Sequence, residues 1–279
     1  MSASSTVSLA QETPFLEWKR GIAGQRSKQA AIAAGIALLV ALSAWRCDVS
    51  LAVLVKGLAK GVSLLGMFFP PEGSGLADMM QPIGVTAVMA MIATVMGMCL
   101  SLPCALAASS NIAPAPVRQV MRAFIALERG LPQIVQMLLL IAVFGLGAVP
   151  GLVALSFGSI GMLAKLLADG IEEIEPKMLE AVEVTGATRS QVIRYAVIPQ
   201  ILPSLLANGL FCFEVNVREG VILGAIGAGG IGYVMSTAMR SMDYQRASLA
   251  TLLTLVLVFG SERLSDFFRG RILGGGPLR

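Results

Sequence analysis

Five apolar runs, at residues 82–108, 123–146, 151–168, 198–224 and 248–268, set the first constraint on this chain. Each reaches or approaches the roughly 20 residues that carry a helix across about 30 Å of hydrocarbon. In lipid, every backbone N–H and C=O must be satisfied within the protein, so runs of this length specify spanning helices. A sixth, shorter run at 30–44 reads as a signal-anchor helix beginning near Ser27. The expectation is an all-α, polytopic membrane helix bundle with about six transmembrane helices. Composition agrees: 56% of residues are hydrophobic and 14% charged, where a soluble domain carries about 25% charged residues. The stretch 221–232 is apolar but glycine-rich, so a broken or re-entrant segment is expected there.

Basic residues give the orientation. With both termini inside, fourteen of the 21 lysines and arginines fall in inner segments, six in outer ones, and Arg129 lies within a span. That asymmetry places both termini in the cytoplasm. Residues 1–29 then form a cytoplasmic amino-terminal segment and 30–279 a single transmembrane domain. The net charge of +4 reads as loop asymmetry rather than as a nucleic-acid surface. Histidine is absent, which removes His-based catalysis, metal sites and proton shuttles. The cysteines Cys47, Cys99, Cys104 and Cys212 form no CxxC pair and read as small buried hydrophobes, and the 15 methionines as packing residues.

Two motifs suggest chemistry and lose it on inspection. Gly227-Ala228-Gly229-Gly230-Ile231-Gly232 fits GxGxxG, but a dinucleotide site also needs a preceding strand and an acidic residue about 20 positions on. A tight glycine turn between membrane segments fits better. Gly158-Ser159-Ile160-Gly161 offers a serine with no histidine base, and Lys165 is six residues away. Contact between helices through small residues is the simpler reading. No GxxxxGK[ST] sequence is present to cradle ATP.

The informative loop is 169–199, too polar to cross lipid and too regular for a slack linker. Pro176 suits the first turn of a helix that stops at Gly186, and Thr188 with Gln191 has capping-box spacing for a second helix running to Pro199. Glu180-Ala181-Val182-Glu183-Val184-Thr185-Gly186, nine residues, then Ala196-Val197-Ile198-Pro199 resembles the EAA loop of bacterial ABC importer permeases. Val182 replaces the third small residue, and Ala196 and Ile198 depart from the family's ending. Phe68-Phe69-Pro70-Pro71, Ile171-Glu172-Glu173-Ile174-Glu175-Pro176 and Phe213-Glu214-Val215-Asn216-Val217-Arg218, followed by the 227–232 glycines, narrow the resemblance. Over about 68–268 the chain is similar to permeases for phosphonate, phosphite and hypophosphite.

The resemblance implies a type I ABC importer permease. Its partners would be a cytoplasmic ABC ATPase dimer, a second permease copy, an extracytoplasmic substrate-binding protein and the bilayer. No cofactor would sit on this chain, ATP and Mg²⁺ being held by the ATPase. An ion-gradient-driven secondary transporter is the alternative. It would use intramembrane acids such as Glu128 and Glu214, but would leave the structured loop without a task.

Candidate site residues follow. Glu180, Ala181 and Gly186 are expected at the ATPase-coupling contact. Glu214 and Arg218, four apart with the acid first, are expected to pair and to belong to the translocation path or gate. Glu219 would be the competing partner in another state. Direct anion contact, a gate latch and a static pair all remain open for them. Asn216 is expected on a different helix face. The outer basic residues Lys56, Lys60, Arg240 and Arg246 are either attractors for an anionic partner or ordinary solvated positions.

Overall fold

The computed structural model describes residues 28–29, 31–46, 51–71 and 75–272. The amino-terminal segment before Lys28, Cys47 and the glycine-rich tail lie outside the described residues. The chain divides into two compact units, Met1–Gly66 and Met67–Arg279. The first carries helix α1 (Ala31–Arg46) and most of α2 (Leu51–Met67), which ends just before Phe68-Phe69-Pro70-Pro71.

The second unit contains α3 (Leu76–Ala108), α4 (Ala115–Gly130), α5 (Gln133–Phe144), α6 (Ala148–Glu172), α7 (Pro176–Glu183) and α8 (Arg189–Val192). A π turn at Ile193–Val197 leads into α9 (Ile198–Leu223), and a second at Gly224–Ala228 precedes α10 (Gly230–Arg240) and α11 (Tyr244–Ile272). Among the described residues, four helices are long and apolar enough to cross a membrane: α3, α6, the continuous Arg189–Ala228 and α11. The run at 123–146 is split into α4 and α5, which meet at 92° and make a fifth if the bent pair is one span.

Pro132 explains the bend. It lacks the N–H that would bond the Glu128 carbonyl. The Gln136 amide replaces it, donating to Glu128 O at 3.3 Å and to Leu131 O at 3.2 Å. The 158–161 motif makes room for this corner: Gly158 packs against the Gln133 side chain and Gly161 against the Glu128 carboxylate, positions a Cβ would occupy.

The bundle closes on small residues. On α3, Ala90, Ala93, Thr94, Gly97, Ser101 and Ala105 are buried along one face, and Gly97 leaves just enough space for Ser159 of α6. Close approach through small side chains is the usual route to helix association in lipid, where no hydrophobic force draws helices together. At this contact lies Asn216 of α9, 1% exposed. Its amide nitrogen donates to Thr94 Oγ1 at 2.9 Å and Ser159 Oγ at 2.8 Å. Each hydroxyl donates in turn to its own helix, Thr94 to Ala90 O and Ser159 to Leu155 O, both at 2.7 Å. Ser159 is therefore a structural residue, as the helix-contact reading expected. Cys212 is buried beside Asn216, Cys104 is half-buried, and Cys99 is exposed on α3, contrary to the expectation that all would be buried.

Replacing Asn216 with leucine removes both interhelical bonds. Interhelical hydrogen bonds in membrane proteins contribute about 0.6–1.7 kcal/mol each, so a loss of roughly 1–3 kcal/mol is expected. Thermal unfolding of the purified chain in detergent should show a lower midpoint; an unchanged midpoint would show that the two hydroxyls do not need the amide.

Candidate functional site

The loop after α6 is held at its root by three elements. The Glu172 carboxylate accepts from the Ser110 backbone N–H and pairs with Arg122. Asn111 Nδ2 donates to Ile171 O at 2.7 Å, and Arg122 Nε donates to Ala108 O at 2.9 Å. These contacts satisfy carbonyls that the ends of α3 and α6 leave without helical partners.

From this root the chain turns at Pro176 into α7, none of whose residues is buried. Its inward side is marked by half-buried Leu179 and Val182, while Glu180, Ala181 and Glu183 are exposed. Leu179 packs against the core cluster containing Ile171, Ile174, Val197 and Ile201. Val182 thus occupies the inner side, where an apolar residue larger than alanine is accommodated. Gly186 has φ +81°, as a left-handed C′ residue requires, with open space around its Cα. Next comes the predicted capping box: the Thr188 N–H donates to Gln191 Oε1 at 2.7 Å.

One expectation fails here. The second helix does not end at Pro199; it runs through the π turn at 193–197 into the span α9. Pro199 directly follows the π turn, in which the Ile198 N–H donates to the Ile193 carbonyl, so the helix passes the proline without ending there. The second helix of the protrusion is therefore continuous with a membrane helix. Glu180, Ala181 and Gly186 are brought together on it, all exposed, beside Met178 at 52% and Val184 at 87% exposure.

The other predicted residues sit higher on α9. Arg218 Nη2 donates to Glu214 Oε1 at 3.0 Å, with the Glu214 side chain 13% exposed and Arg218 53%. Glu219 is half-buried and forms no ion pair among the described residues. Asn216 lies on another face, as the 100° step per residue requires, and its knot with Thr94 and Ser159 is a feature the sequence analysis missed. The available signal was three polar residues, each isolated within an apolar run.

Above the pair, α9 breaks. Gly227, Gly229 and Gly230 have φ of +133°, +84° and +68°, so the 227–232 motif is a glycine turn between α9 and α10. Gly232 packs against the Val221 carbonyl. Thr86 of α3 supplies a cap from another helix: its Oγ1 accepts from the Ile231 N–H at 3.1 Å and donates to Pro82 O at 3.2 Å. The Gly147 N–H donates to Gly227 O at 3.0 Å, tying the start of α6 to this break. Arg240 and Arg246 flank the turn from α10 to α11, and both are exposed. Among the described residues, no three His, Cys, Asp or Glu side chains cluster as metal ligands.

Comparison with known proteins agrees with this arrangement. The model of the family described as the binding-protein-dependent transport system inner membrane component matches residues 97–274. The chain belongs to this family. It is a multi-pass inner-membrane transport component of the ABC permease type. It is 36% identical over 214 residues to the phosphate-import permease protein PhnE of Mycolicibacterium smegmatis, a match covering 76% of this chain and 40% of that protein. This chain thus spans about two-fifths of that relative's length. It is 31% identical to the putative phosphite transport system permease protein HtxC of Stutzerimonas stutzeri, covering 94% and 93% of the two chains. In fold it resembles the inward-facing MetNI methionine ABC transporter, with a TM-score of 0.64, 20% identity and coverage of 72% and 99%. Family membership decides for the permease over the secondary transporter.

A valine at position 186 would force a β-branched residue into a left-handed backbone, costing about 1–3 kcal/mol locally. Faster proteolysis within 176–199 is expected in Gly186→Val than in the parent, with the rest of the bundle unaffected; equal cleavage rates would show that the turn tolerates the strain.

Proposed function

We propose that this chain is the translocating subunit of an ATP-driven importer for phosphonate or a related reduced-phosphorus oxyanion, phosphite or hypophosphite. The observation that carries the coupling part of this reading is the exposed protrusion, pinned by Leu179 and continuous with α9. Similarity to a phosphate-import permease and a putative phosphite transport permease supports the phosphorus chemistry. The partners are a cytoplasmic ABC ATPase dimer, a second copy of the permease and an extracytoplasmic binding protein. ATP and Mg²⁺ bind to the ATPase, and this chain holds neither. Both termini lie in the cytoplasm, on the side of the protrusion, in keeping with the distribution of basic residues.

The mechanism is alternating access. The binding protein delivers the anion outside, and ATP-driven closure of the ATPase pair moves the protrusion. Because α8, the π turn and α9 are one helix, that motion reaches Glu214 and Arg218. ATP must bind the outward-facing state more tightly than the inward-facing one, since a ligand with equal affinity for both shifts nothing. Glu180 offers a carboxylate for charge-assisted bonds, Ala181 a small surface for close approach, and Gly186 the turn. Arg218 and Glu214 belong to the translocation path or its gate, with Glu219 as the alternative acid. The guanidinium fork suits oxyanion oxygens. Arg240 and Arg246 raise the encounter rate with an anionic partner.

A cysteine at position 181, with the four native cysteines replaced, should crosslink to cysteines placed in the ATPase groove. Free access of thiol reagents to position 181 in the full assembly would refute the coupling assignment. Arg218→Leu should abolish uptake of phosphite and methylphosphonate while the ATPase still co-purifies, and normal uptake would remove Arg218 from the path. Failure of the Arg218→Leu variant to assemble with the ATPase would identify a static structural pair, and restored uptake in the Glu214→Arg, Arg218→Glu exchange would favour a gate latch over direct anion contact.

A further inference from the structure

Helix α4 turns its two faces the unusual way round. At 100° per residue, Val117, Val120, Phe124 and Leu127 share one side, and all four are exposed. Arg118, Arg122, Ile125 and Arg129 share the opposite side, and Ile125 is 4% exposed within the core. On a membrane component, an exposed apolar stripe faces lipid. The arginine stripe lies on the side of α4 that meets α3 and α6, with Arg118 half-buried and Arg122 and Arg129 still exposed.

Between this stripe, the end of α3 and α6 lies a cavity of about 390 Å³. Its charged lining is Arg122, Arg129, Lys165 and Asp169, over small walls that include Ala108 and Ala168. Lys165 Nζ reaches Asp169 Oδ1 at 2.6 Å, and Arg122 pairs with Glu172. No described carboxylate forms an ion pair with Arg129; its neighbour Glu128 feels its charge but lines a different cavity, and the lining here holds three cations against one acid, Asp169. Arg129 was the basic residue that neither side of the membrane claimed in the sequence. An ionised side chain within a membrane component is tolerated when it faces water or a counter-ion. The net positive charge disfavours a cation as occupant. Two guanidinium groups and an ammonium around one cavity supply many donors to a single centre, which suits a tetrahedral oxyanion with several acceptor oxygens.

We infer that the cavity between α4 and α6 binds a phosphorus oxyanion group, with Arg129 as its uncommitted cation. Two sources share this chemistry: a phospholipid headgroup entering from the bilayer, as basic pockets between membrane helices receive anionic lipids, and a free phosphonate or phosphate ion. The inference deepens the transport reading but is tested by binding to the full chain, so a transporter of different cargo would leave the lipid arm intact.

The test uses the purified full chain in phosphatidylcholine nanodiscs with and without phosphatidylglycerol. Retained phosphatidylglycerol is counted by native mass spectrometry, and methylphosphonate and inorganic phosphate are titrated in the discs lacking phosphatidylglycerol. Arg129→Gln should weaken binding by roughly fivefold, the upper end for one solvent-accessible ion pair. Asp169→Asn should strengthen binding, because it frees Lys165 and removes an acid from the lining. Misfolding cannot produce that opposite pair of signs. If only lipid retention follows it, the occupant is a headgroup; if only the soluble oxyanions follow it, the occupant is a free ion; if both do, the two compete for one site. Binding of lipid and soluble oxyanions that is unchanged in both variants, or lowered in both, overturns the site.

Discussion

The amide of Asn216 holds three membrane helices at one point. Without water in the bilayer core, a buried amide has to find its partners in the protein. Here they are the hydroxyls of Thr94 on α3 and Ser159 on α6. The contact fixes more than stability. It sets the rotation of α9, and with it the side to which Glu214 and Arg218 turn. It also requires Gly97 to be bare, because Ser159 fills the space where a side chain would begin. The helices are thus spaced by small residues and registered by polar ones, the division of labour expected where lipid is as apolar as leucine.

The two ends of the bundle are built differently, in ways that suit transmission. At one end Glu172, Ser110, Asn111 and Arg122 bind α3, α4 and α6 into a fixed root, while Leu179 seats the protrusion on the core. At the other end, glycines with positive φ interrupt α9 and α10, and Thr86 caps the break. Between them runs one helix from Arg189 to Ala228. A π turn near each end marks where the regular α-helical bonding is interrupted: the first keeps the helix continuous, and the second runs into the kink at Gly227.

Much of this was legible in the residues, and the misses have definite causes. The loop reading held in detail at Pro176, Gly186 and the Thr188–Gln191 box because each depends on neighbours within a few residues. The length of its second helix did not, because Pro199 as a stop signal was overridden: the π turn at 193–197 directly before it shifts the backbone bonding by one residue and lets the helix continue. The apolar run at 123–146 was read as straight because hydropathy records composition, not direction. Pro132 cuts it, and Gln136 stabilises the cut by bonding the carbonyls left free. The glycines of the 158–161 motif were rightly assigned to packing, yet their partners, Glu128 and Gln133 on the far side of that bend, were out of reach of any local rule.

The sequence by itself determined that this chain is a helical membrane protein, that it breaks at the 227–232 glycines, and that Glu214 and Arg218 pair while Asn216 turns away. Those properties follow from run length, from proline and glycine backbone chemistry, and from the 100° step of a helix, all local quantities. Only the tertiary structure decided what Asn216 meets, which side of α4 packs on α3 and α6, and that Arg129 lines a cavity without an ion pair to a described carboxylate. Such facts depend on side chains 50 to 120 residues apart in sequence. Their meeting is set by how small residues let helices approach, and one helix's periodicity carries no information about the helix it will touch.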